Sequence, residues 1–222
     1  SFFFKFSFSI DTYMVSNSYI SRCLKKKNRE IIIGSNNPGK IKEIRDLLPK
    51  IYKIFSPKDF NLKSPKENGK TFIQNSLIKA EYYSKKSGKI CIADDSGLEI
   101  DLIGKAPGIF SARWGGQKGN FNVAIKKVFR ELNKKDKNWR DKKIVARFIC
   151  ALTIYGLKKN PIHSLGLVRG IISGKKKGKN GFGYDPIFIP EGSDLTFGQM
   201  NPSKKYKIDH RFKAFKRIKK FF

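Results

Sequence analysis

Two short segments of this sequence carry residue types suited to handling phosphate groups. The first, Gly34-Ser35-Asn36-Asn37-Pro38-Gly39-Lys40, follows the apolar run Ile31-Ile32-Ile33 and opens a stretch with helical spacing. A polar turn at a helix N-terminus presents backbone N–H groups to an anion, and Lys40 adds a full positive charge. The spacing matches the G-x-x-x-x-G-K part of a P-loop. Residue 41 is Ile, however, where a P-loop needs a Ser or Thr hydroxyl on Mg²⁺. That counts against an ordinary P-loop NTPase or kinase, and a polar turn with no ligand stays open on these residues alone.

The second segment is Ala93-Asp94-Asp95-Ser96-Gly97, at the end of the strand-like run Ile90-Cys91-Ile92. A carboxylate there is well placed for Mg²⁺, which takes one or two protein carboxylates and fills its shell with phosphate oxygens and water. Consecutive strand residues point to opposite faces, so one of Asp94 and Asp95 faces a ligand, and Ser96-Gly97 lets the chain turn sharply. A structural turn capped by aspartates is the alternative. Further on, Phe182-Gly183-Tyr184-Asp185-Pro186 sets two aromatics and a carboxylate around a glycine, suited to stacking on a base and reading its edge. Aromatics buried in a strand explain it equally well. His210-Arg211, at the start of a helical stretch, reads on its own as a surface pair.

The elements that position these residues follow an α/β pattern. Strands are expected over 31–33, 51–55, 90–94, 144–155 and 162–173, the last two forming an antiparallel pair about Asn160-Pro161. A mixed sheet follows. Helices are expected over 38–48, with Ile41, Ile44 and Leu48 on one face, and over 71–87, with Ile73, Leu77 and Ala80 inward and Gly88 as the stop. A third helix over 120–134 carries the stripe Phe121, Ile125, Val128, Phe129 and Leu132, which reads as core. A basic helix over 209–222 can pack Phe212, Phe215 and Phe222 inward, after a Lys/Gly loop over 174–181. Residues 1–28, rich in Phe, Ser and Lys, form an N-terminal extension: a targeting segment, or an upstream stretch before a start near Met14.

At 222 residues and 39% hydrophobic content, residues 29–222 suffice for one domain. The apolar runs fall far short of the roughly 20 residues that cross a bilayer. Cys23, Cys91 and Cys150 are odd in number and widely spaced, which supports neither a disulfide framework nor a zinc site and suits a reducing compartment. With only His163 and His210, a metal must be held by oxygen. The net charge of +30 invites a nucleic-acid-binding reading, but the lysines recur along nearly the whole chain rather than in one arm. A positive field favours anionic substrates in either case.

Together these segments resemble the inosine triphosphate pyrophosphatase family, over about 31–222. The resemblance is carried in order by Ser35 to Lys40, by Glu67-Asn68-Gly69-Lys70-Thr71-Phe72, by Asn75 with Lys79-Ala80, and by Ala93-Asp94-Asp95-Ser96-Gly97-Leu98. Ala106-Pro107-Gly108 with Ser111-Ala112-Arg113, then 181–186, then His210-Arg211 complete it. It implies an elongated single α/β domain, with a mixed central sheet, flanking helices and two lobes around an active-site cleft, assembled as a cytoplasmic homodimer. It also implies Mg²⁺-dependent hydrolysis of ITP, dITP or XTP between the α- and β-phosphates. The products are the monophosphate and pyrophosphate, and neither membrane nor nucleic acid is required.

Carried across residue by residue, Asp95 becomes the general base and an Mg²⁺ ligand, with Glu67 as the second metal carboxylate. Ser35, Asn36, Asn37, Pro38, Gly39 and Lys40 become the triphosphate loop, with Ser96 beside it. Phe182 stacks on the purine, Gly183, Tyr184 and Asp185 complete that wall, and Lys205, His210 and Arg211 contact the base and its phosphates. Two positions depart from the family: Gln74 stands where Glu is usual, and Asp209 stands where Ser precedes His-Arg.

Overall fold

Strand β1 (Glu30–Ile33) is apolar after its first residue because both of its faces are covered, the pattern of an interior parallel strand. It runs parallel to β2 (Lys53–Phe55) on one side and to β3 (Ile90–Ile100) on the other. Helix α1 (Pro38–Leu47) connects β1 to β2, and α2 (Phe72–Ser87) lies between β2 and β3. The structure, a computed structural model, describes residues 29–116 and 119–222. The extension expected over 1–28, with Met14 and Cys23, lies outside the described residues.

Beyond β3 the pairing becomes antiparallel, through β4 (Val145–Tyr155), β5 (Ile162–Ile172) and β6 (Phe188–Pro190). The sheet order is β2-β1-β3-β4-β5-β6, the mixed sheet expected. Helix α3 (Phe121–Lys135) precedes β4, and α4 (Pro202–Lys205) and α5 (His210–Ile218) follow β6. No helix among the described residues is long and apolar enough to cross a membrane.

One expectation fails at the acidic segment. No sharp turn follows Asp95: β3 continues through Ser96 and Gly97, and every residue from Cys91 to Ile100 is paired with β4. The reason is the partner, since the 11-residue β4 offers ladder bonds well past Asp95. Gly97 serves close approach instead. A Cβ there would stand 2.3 Å from the Gly108 carbonyl oxygen and 2.5 Å from Ser111 Oγ, which is itself held by hydrogen bonds to Leu98 N and the Gly108 carbonyl.

The even-numbered face of β3 builds two hydrophobic clusters with a polar gap between them. Ile90 and Ile92 pack with Ile31, Ile33, Ile44 of α1 and Phe215 of α5. Leu98 and Ile100 pack with Val128 and Leu132 of α3 and Phe188 of β6. Asp94 and Ser96 occupy the gap. On the odd-numbered face, Cys91 and Ala93 pack with Ile32 and with Ala80 and Tyr83 of α2, and Asp95 follows them. The two lobes thus share β3 and β4, and the cleft lies where their cores part.

Helix α2 is rotated from its expected orientation. Ile73 and Leu77 are half-buried, and the buried face is Phe72, Asn75, Ser76, Lys79, Ala80, Tyr83 and Ser84. Polar groups occupy it because it covers polar partners: Ser76 shares a 2.6 Å hydrogen bond with Thr153 of β4, and Asn75 donates to Asp95.

Candidate active site

The turn after β1 is pinned to α1 by its own side chains. Asn37 caps the helix by accepting from Lys40 N at 3.1 Å, and Ser35 Oγ accepts from Asn37 N at 3.2 Å. Asn36 Nδ2 donates to Ser64 Oγ at 2.8 Å, tying the turn to the loop that carries Glu67. Pro38 takes the first helical position, where its missing N–H costs nothing. Gly39 is required by contact, because a Cβ there would lie 2.6 Å from Cδ1 of Phe182. The phosphate-type turn and the aromatic wall, far apart in sequence, therefore touch.

Strand geometry sends the two aspartates to opposite faces, and both are buried. Asp94 lies 3.1 Å from Lys40 Nζ and 3.0 Å from Arg211 Nη2, and accepts from Ser96 Oγ at 3.0 Å. Burial alone would raise its carboxyl; the charges of Lys40, Arg211 and Lys79 reverse this and hold it well below the usual carboxylate range. Asp95 meets Lys79 Nζ at 3.4 Å and Asn75 Nδ2 at 3.2 Å. Burial dominates here and raises its carboxyl, against the pull of Lys79 and Lys40. Lys79 also pairs with Glu67 at 3.0 Å, so one buried ammonium brings the two expected metal carboxylates together. Burial opposes the charge on Lys79, but Asp95, Asp94 and Glu67 outweigh it and keep its pKa raised.

The His210-Arg211 pair is not on the surface: His210 is 4% and Arg211 1% exposed. Helix α5 is seated over the sheet with the His210 ring stacked on Phe148, centroids 4.7 Å apart at 10°. Burial, then the charges of Arg211 and Lys205, push His210 well below its ordinary value, so the imidazole is neutral. Arg211 donates to Asp94 Oδ2 and to Ser96 Oγ, each at 3.0 Å, and pairs with Glu43 of α1. Glu43 also accepts from Lys205 Nζ at 2.9 Å, and Lys205 reaches Asp185 at 2.7 Å. Asp185 in turn accepts from Phe182 N at 2.9 Å, which fixes the turn that presents the Phe182 ring. His210 Nδ1, Arg211 Nε and Asp94 Oδ1 are buried with no hydrogen-bond partner among the described residues, an arrangement that costs stability unless a ligand uses them.

The departures at Gln74 and Asp209 both fall on helix starts. Gln74 Oε1 accepts from Lys70 N at 2.7 Å beside the Thr71 cap, work a Glu oxygen would also do. Asp209 caps α5, accepting from Phe212 N at 2.7 Å, the role a Ser would fill. Burial and the nearby Glu43 raise the Asp209 carboxyl to about 6 against the charge of Arg211.

Two adjoining chambers result. The inner one, about 60 Å³, is lined by Phe182, Tyr184, Phe148, Phe121, His210 and Lys205 among others. The outer one, about 380 Å³, is lined by Glu67, Asp95, Lys79, Lys66 and Arg113. Lys40, Ser96 and Ala112 line both, so the chambers form one groove. Phe121, expected as core, is half-buried at its wall and lies edge-on to Tyr184, because a stripe's first residue sits at the helix end where the core stops.

Glu43 and Phe148 had no place in the sequence reading, and Asn75 and Lys79 entered it only as carriers of the resemblance, with no role assigned to them. The available signal was a charge inside an otherwise buried helical face: Lys79 at i+4 from Asn75, and Glu43 beside Ile44.

The model of the Ham1 family matches residues 31–221. The dITP/XTP pyrophosphatase of Bacillus licheniformis is 40% identical over 192 residues, covering 86% of this chain and 96% of its own length. That of Bacillus subtilis is 39% identical over 194 residues, again covering 86% and 96%. Among solved structures, the Staphylococcus aureus Ham1 protein matches with a TM-score of 0.75 at 34% identity, over 86% of this chain and 97% of that one. A HAM1 protein from Coxiella burnetii matches with a TM-score of 0.76 at 34% identity, over 86% and 96%. With the match running from β1 to the last residues of the chain, over the same mixed sheet and cleft, this chain belongs to the Ham1 family.

Proposed function

We propose that the chain hydrolyses non-standard purine nucleoside triphosphates, ITP, dITP and XTP, between the α- and β-phosphates, and so clears them from a cytoplasmic nucleotide pool. The observation that carries the reading is the continuous groove, which joins an aromatic chamber sized for part of a base to a cationic chamber holding two carboxylates.

The metal proposed is Mg²⁺. Asp95 and Glu67 fit it: both are oxygen donors on the outer chamber, drawn to one ammonium, and Mg²⁺ asks for one or two carboxylates alongside phosphate and water. When bound, it would supply positive charge to the phosphate oxygens. Asp95, with its basicity raised by burial, takes the proton of the water that attacks the α-phosphorus. Lys40 and the N-terminal turn of α1 receive the charge that develops on the phosphates, from positions already fixed by the Asn37 cap and the Asp94 pair. Lys79 keeps the two carboxylates placed.

Phe182 stacks on the purine, with Gly183, Tyr184 and Asp185 behind it. The inner chamber is rich in donors, Lys205 and Arg211, which suit the 6-keto oxygen of hypoxanthine or xanthine. The 6-amino group of adenine would set a donor against donors.

Incubation with ITP, XTP, ATP and GTP, with and without Mg²⁺, tests the reading. Pyrophosphate and monophosphate in equal amounts from ITP and XTP, only with Mg²⁺, are expected. Orthophosphate alone, as a P-loop-type enzyme would release, or no preference over ATP, overturns it.

The assembly proposed is a homodimer. The outward face of β4 and β5 supports it: Leu165 and Leu167 are 38% and 40% exposed, and Leu167 is paired with Ile149, which is only half-buried. Sedimentation at twice the 25.4 kDa chain mass is expected, and Leu167→Glu is expected to give the monomer. A wild-type monomer at micromolar concentration would refute the assignment.

A further inference from the structure

The groove has a direction, and it ends on a residue without an assigned task. A base in the inner chamber sends its phosphates past Lys40 and Ser96, which line both chambers, into the outer one. Two of the four cations that line it are already committed. Lys40 is paired with Asp94, and Lys79 with both Glu67 and Asp95. Arg113 is different. It follows the last turn of the 107–112 segment, and its Nη2 donates to the backbone carbonyl oxygen of Glu67 at 2.5 Å. Its guanidinium carbon lies 5.1 Å from the Phe110 ring centroid, a second contact that restrains the planar group. A guanidinium carries five N–H donors in one plane, and this one makes a single hydrogen bond among the described residues. Planar paired donors suit phosphate oxygens better than the point charge of the neighbouring Lys66.

We propose that Arg113 binds the terminal phosphate of the substrate and thereby makes the groove select triphosphates over diphosphates. The inference rests on the reading of the groove given above. The bond to the Glu67 carbonyl adds a consequence: occupancy by the terminal phosphate steadies the loop that carries a metal carboxylate.

The test compares ITP with IDP, whose α–β cleavage yields the monophosphate and orthophosphate. In the wild type, kcat/KM for ITP is expected to exceed that for IDP. In Arg113→Gln, the ITP-to-IDP ratio is expected to fall about 10- to 100-fold, the effect of losing a charge-assisted contact. Arg113→Lys should fall between the two. As a readout independent of turnover, the dissociation constant of inorganic pyrophosphate, measured by calorimetry, should rise in Arg113→Gln while that of IMP holds. Equal losses on ITP and IDP would mean that Arg113 acts only through the Glu67 loop, and would overturn the proposal. An unchanged ratio, or a wild type that does not distinguish the two substrates, would overturn it as well. Failure of the wild type to cleave either nucleotide would instead sink the function proposed above. Arg113 is exposed, so thermal unfolding of both variants should match the wild type and leave the comparison interpretable.

Discussion

Asp95→Asn is expected to lower kcat on ITP by about 10²- to 10⁴-fold, the usual worth of a positioned general base, while the protein keeps its fold and its midpoint of thermal unfolding. The amide retains the size of the carboxyl and can still meet Asn75, which now stands 3.2 Å away. The sign of the stability effect follows from burial. A carboxyl raised above its ordinary 3.8 is favoured in the folded state when protonated, so its stabilising contribution is present at low pH and lost as pH rises through the raised value. An ionised Asp95 therefore weighs against the fold, and a neutral isostere should leave the unfolding midpoint equal or higher. Steady-state kinetics and calorimetry on the same preparation check both halves. An Asp95→Asn enzyme retaining more than about a tenth of wild-type turnover, far above the range for a lost base, would place the base elsewhere.

The sequence showed this much because β-strand parity is a strict rule: residues 94 and 95 had to face opposite sides. It did not show that both sides would hold a buried ion pair. Asp94 is the anchor that Lys40 and Arg211 share, and Asp95 faces α2 with Lys79 and Glu67. The bend expected at Ser96-Gly97 was misread because a glycine after an acidic pair carries the same local signal whether it turns the chain or admits a neighbour. Only the backbone of Gly108, 11 positions away, decides between them. His210-Arg211 and Glu43 failed to announce their burial for a related reason. A charged residue is buried when its partners are, and those partners lie on α1, β3 and α4, where no local pattern can reveal them. The mixed sheet, α1, α3 and the Lys40 turn were legible because each rests on periodicity or capping within about 15 residues.

Arg211→Met is expected to cost about 3–5 kcal/mol of stability at pH 7, because removing one member of a buried charged network leaves the others uncompensated. For a chain of this length that is a fall of roughly 6–20 °C in Tm. The guanidinium is 1% exposed and holds Asp94, Ser96 and Glu43 at once, so no solvent screening softens its removal. Lys40 still lies 3.1 Å from Asp94, which keeps that carboxylate from standing alone and lets the variant fold. The pH dependence identifies the cause. Asp94 is held well below 3.8 in the folded protein, so its stabilising contribution is present above that value and lost as pH falls toward the depressed one. Arg211 is one of the charges that depress it, so the gap between wild type and variant should be full at neutral pH and shrink below about pH 3.8, as protonation removes from the wild type what the substitution has already removed. A gap that stays constant through the acid range would show that the substituted side chain fails by packing rather than by charge. The site would then owe its rigidity to the apolar seat of α5 on Phe148 instead of to the ion network beneath it.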